Sequence, residues 1–482
     1  MISSVRITGC SIAMLCFFMW SFPAEGQTWR RAYGALDIDE CHSVRSISPE
    51  VSIAAGSTGS FGSGSSDIYL ITVDGDGVPL WSRTIGGGGV DQCTDAAVSG
   101  GSIYITGYTN SSGAGGYDGL VVSIDASGTV LWERTYGGPD WDLLNDVTLL
   151  SDGGLLVAGV TYSGHPAGSA WLLRLNAEGD TLWTRTYAGT TGHEAHSAKP
   201  TTDGGFVLAG SVVVNSDDRD ALIIKLDEEG HEVWRNTYGG DSLDVGRDII
   251  QTMDGGYSVV GITESYSTWK EGYHFRTDAQ GEQLWYWNWG QINDQEIHEH
   301  YELPNGDFIS VGYTKTSGGG GKDMFLMRNQ PNGDFVFGRT FGGSEDEIGY
   351  SMDILDDGYI CGGVTNSYGA GGSDVFLVRT GEDGTTSSES VTTAFDPLST
   401  TEREITRTVV HPNPSTGRIE FAPLNERTRL SVLDASGRQL QETELLQGST
   451  STALRVSTGS YQLIFRSADG HIRRSKVVIT RP

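Results

Sequence analysis

Cysteine is scarce in this chain: five in 482 residues, two of them (Cys10 and Cys16) in the first 26. The remaining three, Cys41, Cys93 and Cys361, are an odd and widely spaced set. Such a set excludes a small disulfide-framed fold and any zinc-type cysteine pairing. Cys41 and Cys93 hold equivalent places in neighbouring repeats, but a bridge would need equivalent strands closer together than adjacent sheets normally bring them. Positive charge is scarce as well, with 32 Lys and Arg against 62 Asp and Glu, for a net charge of −30. Residues 401–482 run the other way, with twelve basic residues against eight acidic ones, so the acidity belongs to the preceding body. That body is a poor partner for nucleic acid or an anionic membrane surface. Helical periodicity is missing throughout, and no apolar run after residue 26 is long enough to cross a bilayer as a helix. Nor is there a G-x-S-x-G, an H-E-x-x-H or a P-loop.

Glycine, by contrast, is abundant at 68 residues, which suits short strands joined by tight turns and predicts an all-β chain. Residues 1–26 read as a secretory signal peptide: Arg6 supplies the positive end, Ser11 to Trp20 the apolar core, and Ala24-Glu25-Gly26 the small residues before a cut. From residue 27 one pattern dominates. A motif near W-x-R-T-Y-G-G recurs at Trp29, Trp81, Trp132, Trp183 and Trp234, decays at Trp285 (WYWNWGQ) and returns at Phe337, at steps of 51 or 52 residues. Glycines at 77, 128, 179, 230, 281, 333 and 384 keep the same phase, as do D-G-G-type turns at Asp152, Asp203 and Asp254. Each period has room for four short strands, which predicts a seven-bladed β-propeller over residues 27–384. The last repeat lacks its W-strand and the first W-strand lacks a repeat. The strand at Trp29–Tyr33 is therefore expected to close the ring against Val375–Arg379.

Residues 385–406 are rich in Ser, Thr and Glu and read as a flexible linker. Residues 407–482 then show short alternating segments that predict a small Ig-like β-sandwich of about seven strands. Within them stand Pro412-Asn413-Pro414-Ser415-Thr416-Gly417, then Leu430 to Gly437 with Asp434 in its turn, then Gly459-Ser460-Tyr461, then Lys476-Val477-Val478-Ile479. In order and spacing this segment resembles the type A C-terminal sorting domain of type IX secretion. The resemblance implies a Bacteroidetes-like source, the type IX secretion machinery as partner, and export to the cell surface with attachment to the outer membrane. The repeats likewise resemble blades found on such cargo.

Candidate site residues follow from position. Ten residues after each repeat aromatic lie Asp39, Asp91, Asp142, His193, Asp244, Gln295 and Glu347; fourteen after it lie Ser43, Asp95, Asp146, Ser197, Asp248, Glu299 and Ser351. In a propeller each set forms a ring, either capping turns and joining blades or lining a polar channel mouth. The sixth repeat departs most. It places Trp287 and Trp289 where others have Arg and Tyr, and continues to His298-Glu299-His300, with the two histidines expected on one strand face and Glu299 on the other. Aromatics beside carboxylates and imidazoles suit a sugar. No metal and no cofactor is assigned; Asp74-Gly75-Asp76-Gly77 faintly resembles a calcium loop but stands at an ordinary hairpin. Two functions stay open: a non-catalytic module that binds an extracellular glycan or protein, and an extracellular hydrolase or lyase working with carboxylates at the channel mouth.

Overall fold

The computed structural model describes residues 28–387 except 217 and 291–292, residues 391–393, and residues 415–480 except 417, 422, 425–426, 434–438 and 468–471. The expected signal peptide, much of the linker, and Pro412, Asn413, Pro414, Gly417, Asp434 and Gly437 lie outside the described residues. No helix occurs among those described, and therefore none long and apolar enough to cross a membrane.

Seven four-stranded antiparallel sheets follow one another like propeller blades. Blade one runs outward from the channel as Asp39–Ser48, Val51–Thr58, Asp67–Asp74 and Pro79–Ile85. The second and third strands of each blade are covered by neighbouring sheets on both faces. Leu155–Thr161 and Ser169–Leu175 in blade three are buried along their whole length. A strand covered twice has no solvent face, so these segments read as unbroken apolar runs where the outermost strands alternate. Each buried Leu, Ile or Val there contributes roughly 1.5–3 kcal/mol. The D-G-G turns fix the charges left in this layer. Lys225 meets Asp203 at 2.9 Å and Arg276 meets Asp254 at 2.7 Å, so the cations of the third strands are paired at the sheet end.

The W-x-R-T-Y strand is the outermost of its blade, and it clasps the next blade's outer hairpin. Trp29 Nε1 donates to Gly75 O (2.8 Å) and Tyr33 Oη to Gly77 O (2.8 Å); Trp132 and Tyr136 repeat this on Ala177 O (3.1 Å) and Gly179 O (2.6 Å). The indole lies over the hairpin glycine, whose φ is +73° at Gly77 and +83° at Gly128, so that position needs both a left-handed backbone and no side chain.

Ring closure follows the missing-strand argument. Trp29–Tyr33 pairs antiparallel with Asp374–Gly381 in the register Trp29 with Arg379 and Tyr33 with Val375, completing blade seven. The linker departs from expectation at its start. Thr392–Thr393 adds a parallel fifth strand to Trp29–Tyr33, and Ser387 Oγ donates to Thr28 O at 2.7 Å. The outer edge of the closing strand would otherwise leave its N–H and C=O groups open, and the linker takes them up.

The tail contributes six strands among the described residues, in a four-stranded and a two-stranded sheet, against about seven expected. Leu430, Val432, Leu463, Phe465, Val477 and Ile479 form its core. Gly459 opens one strand, Tyr461 is buried with its hydroxyl donating to Ser457 O (2.9 Å), and Lys476 pairs in register with Gln462.

Candidate functional site

The first predicted ring heads the innermost strands and is consumed by local capping. Asp39, Asp91, Asp142 and Asp244 are buried. Asp39 accepts hydrogen bonds from Thr58 Oγ1, Ser60 Oγ (2.8 Å) and Ala35 N (2.7 Å). Asp91 takes Ser111 Oγ (2.7 Å) and Gly87 N (2.8 Å), and Asp142 and Asp244 do likewise with Ser163 and Ser265. His193 turns its Nδ1 to Thr191 O (2.8 Å). These residues hold loops and do not meet at the axis.

The second ring, four residues on, reaches the lumen through a β-bulge. Every innermost strand bulges at the same place, between Cys41 and Ser43, Cys93 and Asp95, Leu144 and Asp146, and so on round to Gly349 and Ser351. After the bulge each carboxylate accepts from an amide of the next blade: Asp95 from Val147 (3.1 Å), Asp146 from Ala198 (2.9 Å), Asp248 from His300 (3.1 Å), Glu299 from Met352 (2.7 Å). Cations fill the lumen between them. Arg45 reaches Asp95 (2.9 Å) and Glu299 (3.0 Å), and Lys199 reaches Asp146 (2.7 Å). Burial raises the Glu299 carboxyl, with Arg45 opposing it, and lifts Asp146 to about 6. The channel is thus floored by an ionic plug that ties blades together.

The bulged residue itself points into the mouth above this plug. Around the ring it is His42, Thr94, Asn145, His196, Arg247, His298 and Tyr350, lining a space of about 100 Å³ with the plug residues. Several use one ring or amide nitrogen or hydroxyl to hold the next blade: His42 Nδ1 donates to Cys93 O (2.6 Å), Thr94 Oγ1 to Leu144 O (2.8 Å), Asn145 Nδ2 to Ala195 O (2.8 Å) and His298 Nδ1 to Gly349 O (2.7 Å). Two residues before the bulge, blades one, four and six carry a glutamate, giving three Glu-x-His pairs. Glu40 meets His42 at 3.3 Å, Glu194 meets His196 at 3.8 Å and Glu296 meets His298 at 3.3 Å. Their environments differ. Burial opposes the charged form of His42, yet the Glu40 carboxylate outweighs it and the net shift is upward. His196 is pushed down to about 3, by burial first and then by Arg247 and Arg219.

Beside the mouth, between blades five, six and seven, opens a second cavity of about 320 Å³, lined by Arg247, Glu296, His298, Tyr313, Lys322, Ile348 and Tyr350. Its rings lie close: His298 to Tyr350 at 5.0 Å, His298 to Tyr313 at 6.0 Å, and His42 to Tyr350 at 5.2 Å between centroids. Arg247 Nε donates to Glu296 Oε1 at 2.8 Å. Burial raises the Glu296 carboxyl, but His298 and Arg247 together hold it well below the usual range.

The sixth-repeat cluster is therefore split. His298 and Glu299 both face the channel because the bulge interrupts the alternation between them. His300, expected to share a face with His298, is buried between blades, its Nδ1 2.9 Å from Asp248 Oδ2 and its Nε2 2.9 Å from Ser258 Oγ. Trp287 and Trp289 lie on the outermost strand of blade five, away from the mouth. Trp287 takes over the clasp from Trp285, donating to Asn332 O (3.3 Å) with its ring over Gly333. Cys41, Cys93 and Cys361, the cysteines among the described residues, are free and buried, and burial lifts the Cys41 thiol to about 12. Asp74 caps its hairpin through Asp76 N (3.0 Å) and Val78 N (2.9 Å).

The bulge has a sequence signature that the repeat landmarks passed over: a glycine in every second strand, at 56, 107, 159, 210, 261, 312 and 363. A Cβ at Gly56, Gly210 or Gly363 would stand 1.8 Å from the carbonyl oxygen of the residue two before the bulged one. Only glycine admits the bulge, and the bulge presents the mouth residues.

Comparison with known proteins agrees on the tail. Residues 409–480 match the secretion system C-terminal sorting domain, so the chain carries a type IX sorting tail and is a secreted, cell-surface protein. No curated protein matches the sequence. Among solved structures the chain is similar to PorZ of Porphyromonas gingivalis, an essential bacterial surface component of the type IX secretion system, at 13% identity and TM-score 0.44. That match covers 93% of this chain and 60% of PorZ. The polysaccharide lyase Uly1 matches at 11% identity, covering 76% of this chain and 94% of that one, with TM-score 0.44. The β-propeller domain of the Trilobed protease from Pyrococcus furiosus matches at 8% identity, covering 73% and 95%, with TM-score 0.39. Similarities this distant say nothing about activity.

Proposed function

We propose that this protein is a non-catalytic surface propeller that binds an extracellular glycan at the mouth of its channel, and that it stays attached to the outer membrane after its sorting tail has directed export. One observation carries the binding reading. At the bulge, where the backbone is the same in all seven blades, the side chains differ: His42, Thr94, Asn145, His196, Arg247, His298 and Tyr350. The adjacent plug position needs only an acceptor for the next blade's amide and accordingly repeats Asp, Glu or Ser. A shared backbone does not call for five different polar side chains among seven equivalent places, whereas a ligand lying across the mouth does.

The chemistry favours binding over hydrolysis. Acid–base hydrolysis needs two carboxyl groups facing the same bond with separated pKa values. Glu40, Glu194 and Glu296 are each engaged by a histidine, and Asp95, Asp146, Asp248 and Glu299 are committed to backbone amides. The test is a glycan array probed with the full chain, wild type and a His42→Ala/Tyr350→Ala variant, followed by incubation of any bound glycan. A defined set of glycans retained by wild type, lost by the variant and recovered intact is the expected result. Cleaved products, or no glycan bound, would overturn it.

A further inference from the structure

The cavity beside the mouth carries a charge opposite to that of the protein around it. The body is strongly acidic, yet this cavity holds two permanent cations, Arg247 and Lys322, against one carboxylate, Glu296. Glu296 is already satisfied by Arg247 Nε at 2.8 Å and by His298 at 3.3 Å. That leaves the forked Nη groups of Arg247 without a hydrogen bond to any described residue. Lys322 makes no ion pair among the described residues; its ammonium rests 4.3 Å from the centre of the Tyr313 ring. In a chain with 62 carboxylates, two cations that share a cavity and remain short of partners are arranged for an anion from outside.

The rest of the lining narrows the chemistry. Tyr350 is half-buried and offers a ring face of the kind that packs on the C–H face of a pyranose, with His298 beside it, while Tyr313 is buried and carries the Lys322 ammonium over its ring. Burial keeps both phenols protonated, Tyr350 with a pKa near 12, so they remain donors for sugar hydroxyls. The volume, about 320 Å³, is at the small end of ligand cavities. An acidic peptide would seek an apolar anchor or a free strand edge, and Ile348 is the one aliphatic side chain here.

We infer that this cavity is a subsite for an acidic sugar residue, with the uronate carboxylate held by Arg247 and Lys322 and the ring packed on Tyr350. The inference rests on the mouth being the glycan-binding surface and adds the charge of what it binds.

The test is calorimetric titration of the full chain with galacturonate, mannuronate and glucuronate-containing oligosaccharides, each beside its carboxyl-reduced neutral counterpart, and with a poly-glutamate peptide. Wild type should bind at least one uronate series, its neutral counterpart about tenfold or more weakly. Arg247→Gln and Lys322→Gln should each weaken that binding by a similar factor, and Lys322→Arg should restore most of it. The Lys322 ammonium rests on the Tyr313 ring and its other bonds, to Asp346 and Glu347, are made by its backbone, so Lys322→Gln leaves the fold in place should Arg247→Gln disturb the bulge; thermal melting checks both. Equal affinity for neutral and acidic forms overturns the inference, as does uronate binding untouched by both variants, or peptide bound in place of sugar. Neutral glycans bound at the mouth with no uronate bound would sink this inference and leave the surface-binding reading standing. No glycan of either kind would sink both.

Discussion

The outer girdle and the channel mouth respond to sequence change in opposite ways. On the girdle, the largest departure from the repeat is Trp287 in place of Arg, and the structure absorbs it. Trp287 lays its ring over the next hairpin's glycine as the repeat tryptophan does elsewhere, and donates to the carbonyl just before that glycine, the one that the repeat arginine uses at Arg134. At the mouth, His42, Thr94, Asn145 and His298 share one contact, the equivalent carbonyl of the next blade, but Arg247 turns to Glu296 instead, and with Tyr350 it helps to line an aromatic and basic cavity in an acidic protein. An unusual residue is therefore informative only after asking whether it takes over the framework's own contact. Trp287 does; Arg247 and Tyr350 go beyond it.

Four measurements would break or sharpen this contrast, beginning with the largest effect. Gly210→Val places a Cβ 1.8 Å from Glu194 O, so blade four cannot keep its bulge. A loss of more than about 4 kcal/mol in denaturant unfolding is expected, and a stable variant would mean that the bulge is dispensable. Arg45→Met leaves Asp95 and Glu299 without their shared counter-charge, at a cost of about 3–5 kcal/mol by the same measurement.

Third, the two regions can be separated directly. Trp287→Ala should cost about 2 kcal/mol, below the value for a fully buried tryptophan, and leave glycan affinity unchanged. His42→Ala with Tyr350→Ala should abolish binding, and it also removes the His42 bond to Cys93 O at a cost of about 1–3 kcal/mol. If Trp287→Ala weakened glycan binding, or the double variant left it intact, girdle and mouth would not be distinct regions.

The smallest effect is a pH dependence at the blade junction. Asp374 and Asp39 flank Gly34, where a Cβ would stand 2.1 Å from one carboxylate and 2.8 Å from the other. Burial raises the Asp374 carboxyl to about 6, with Asp39 adding to the rise. A raised carboxyl means that the folded state prefers the protonated form. Its stabilising contribution is present below the ordinary value of about 4 and is lost as the pH climbs through about 6. Asp374→Asn should therefore raise the melting temperature at pH 7, change little at pH 4, and flatten the profile between them. An unchanged profile would remove Asp374 as its source.

The fold was legible because one blade is written seven times. The 51-residue step, the hairpin glycines and the unpaired strand at Trp29 each constrain the ring, and closure came out at the residues the repeat count required. The mouth was less legible, because alternation along a strand fails at a bulge. Counting faces from Ile297 puts His298 and His300 together, whereas the extra residue sends His298 to the mouth and His300 into the core. The glycine in each second strand encodes that bulge, but it sits on the neighbouring strand and is explained only by the carbonyl it faces. Lys322 and Tyr313 were out of reach for another reason. They come from the second strand of blade six and the loop that follows it, and meet Arg247 of blade five only when the ring is assembled.

The pairing of Trp29–Tyr33 with Asp374–Gly381 has a consequence in time as well as in space. A chain delivered N-terminus first, from a ribosome or through a pore, presents the strand at residue 29 long before its partner near residue 377 exists. Six blades can form in passing, each from its own four consecutive strands. The seventh cannot. Until the last repeat arrives the ring is a curved stack with one sheet missing a strand, its two ends exposed and its channel open on one side. The finished molecule is therefore distinguished from a nascent one by a single late event, and any factor that held residues 28–33 apart would keep the whole propeller unclosed without unfolding a blade.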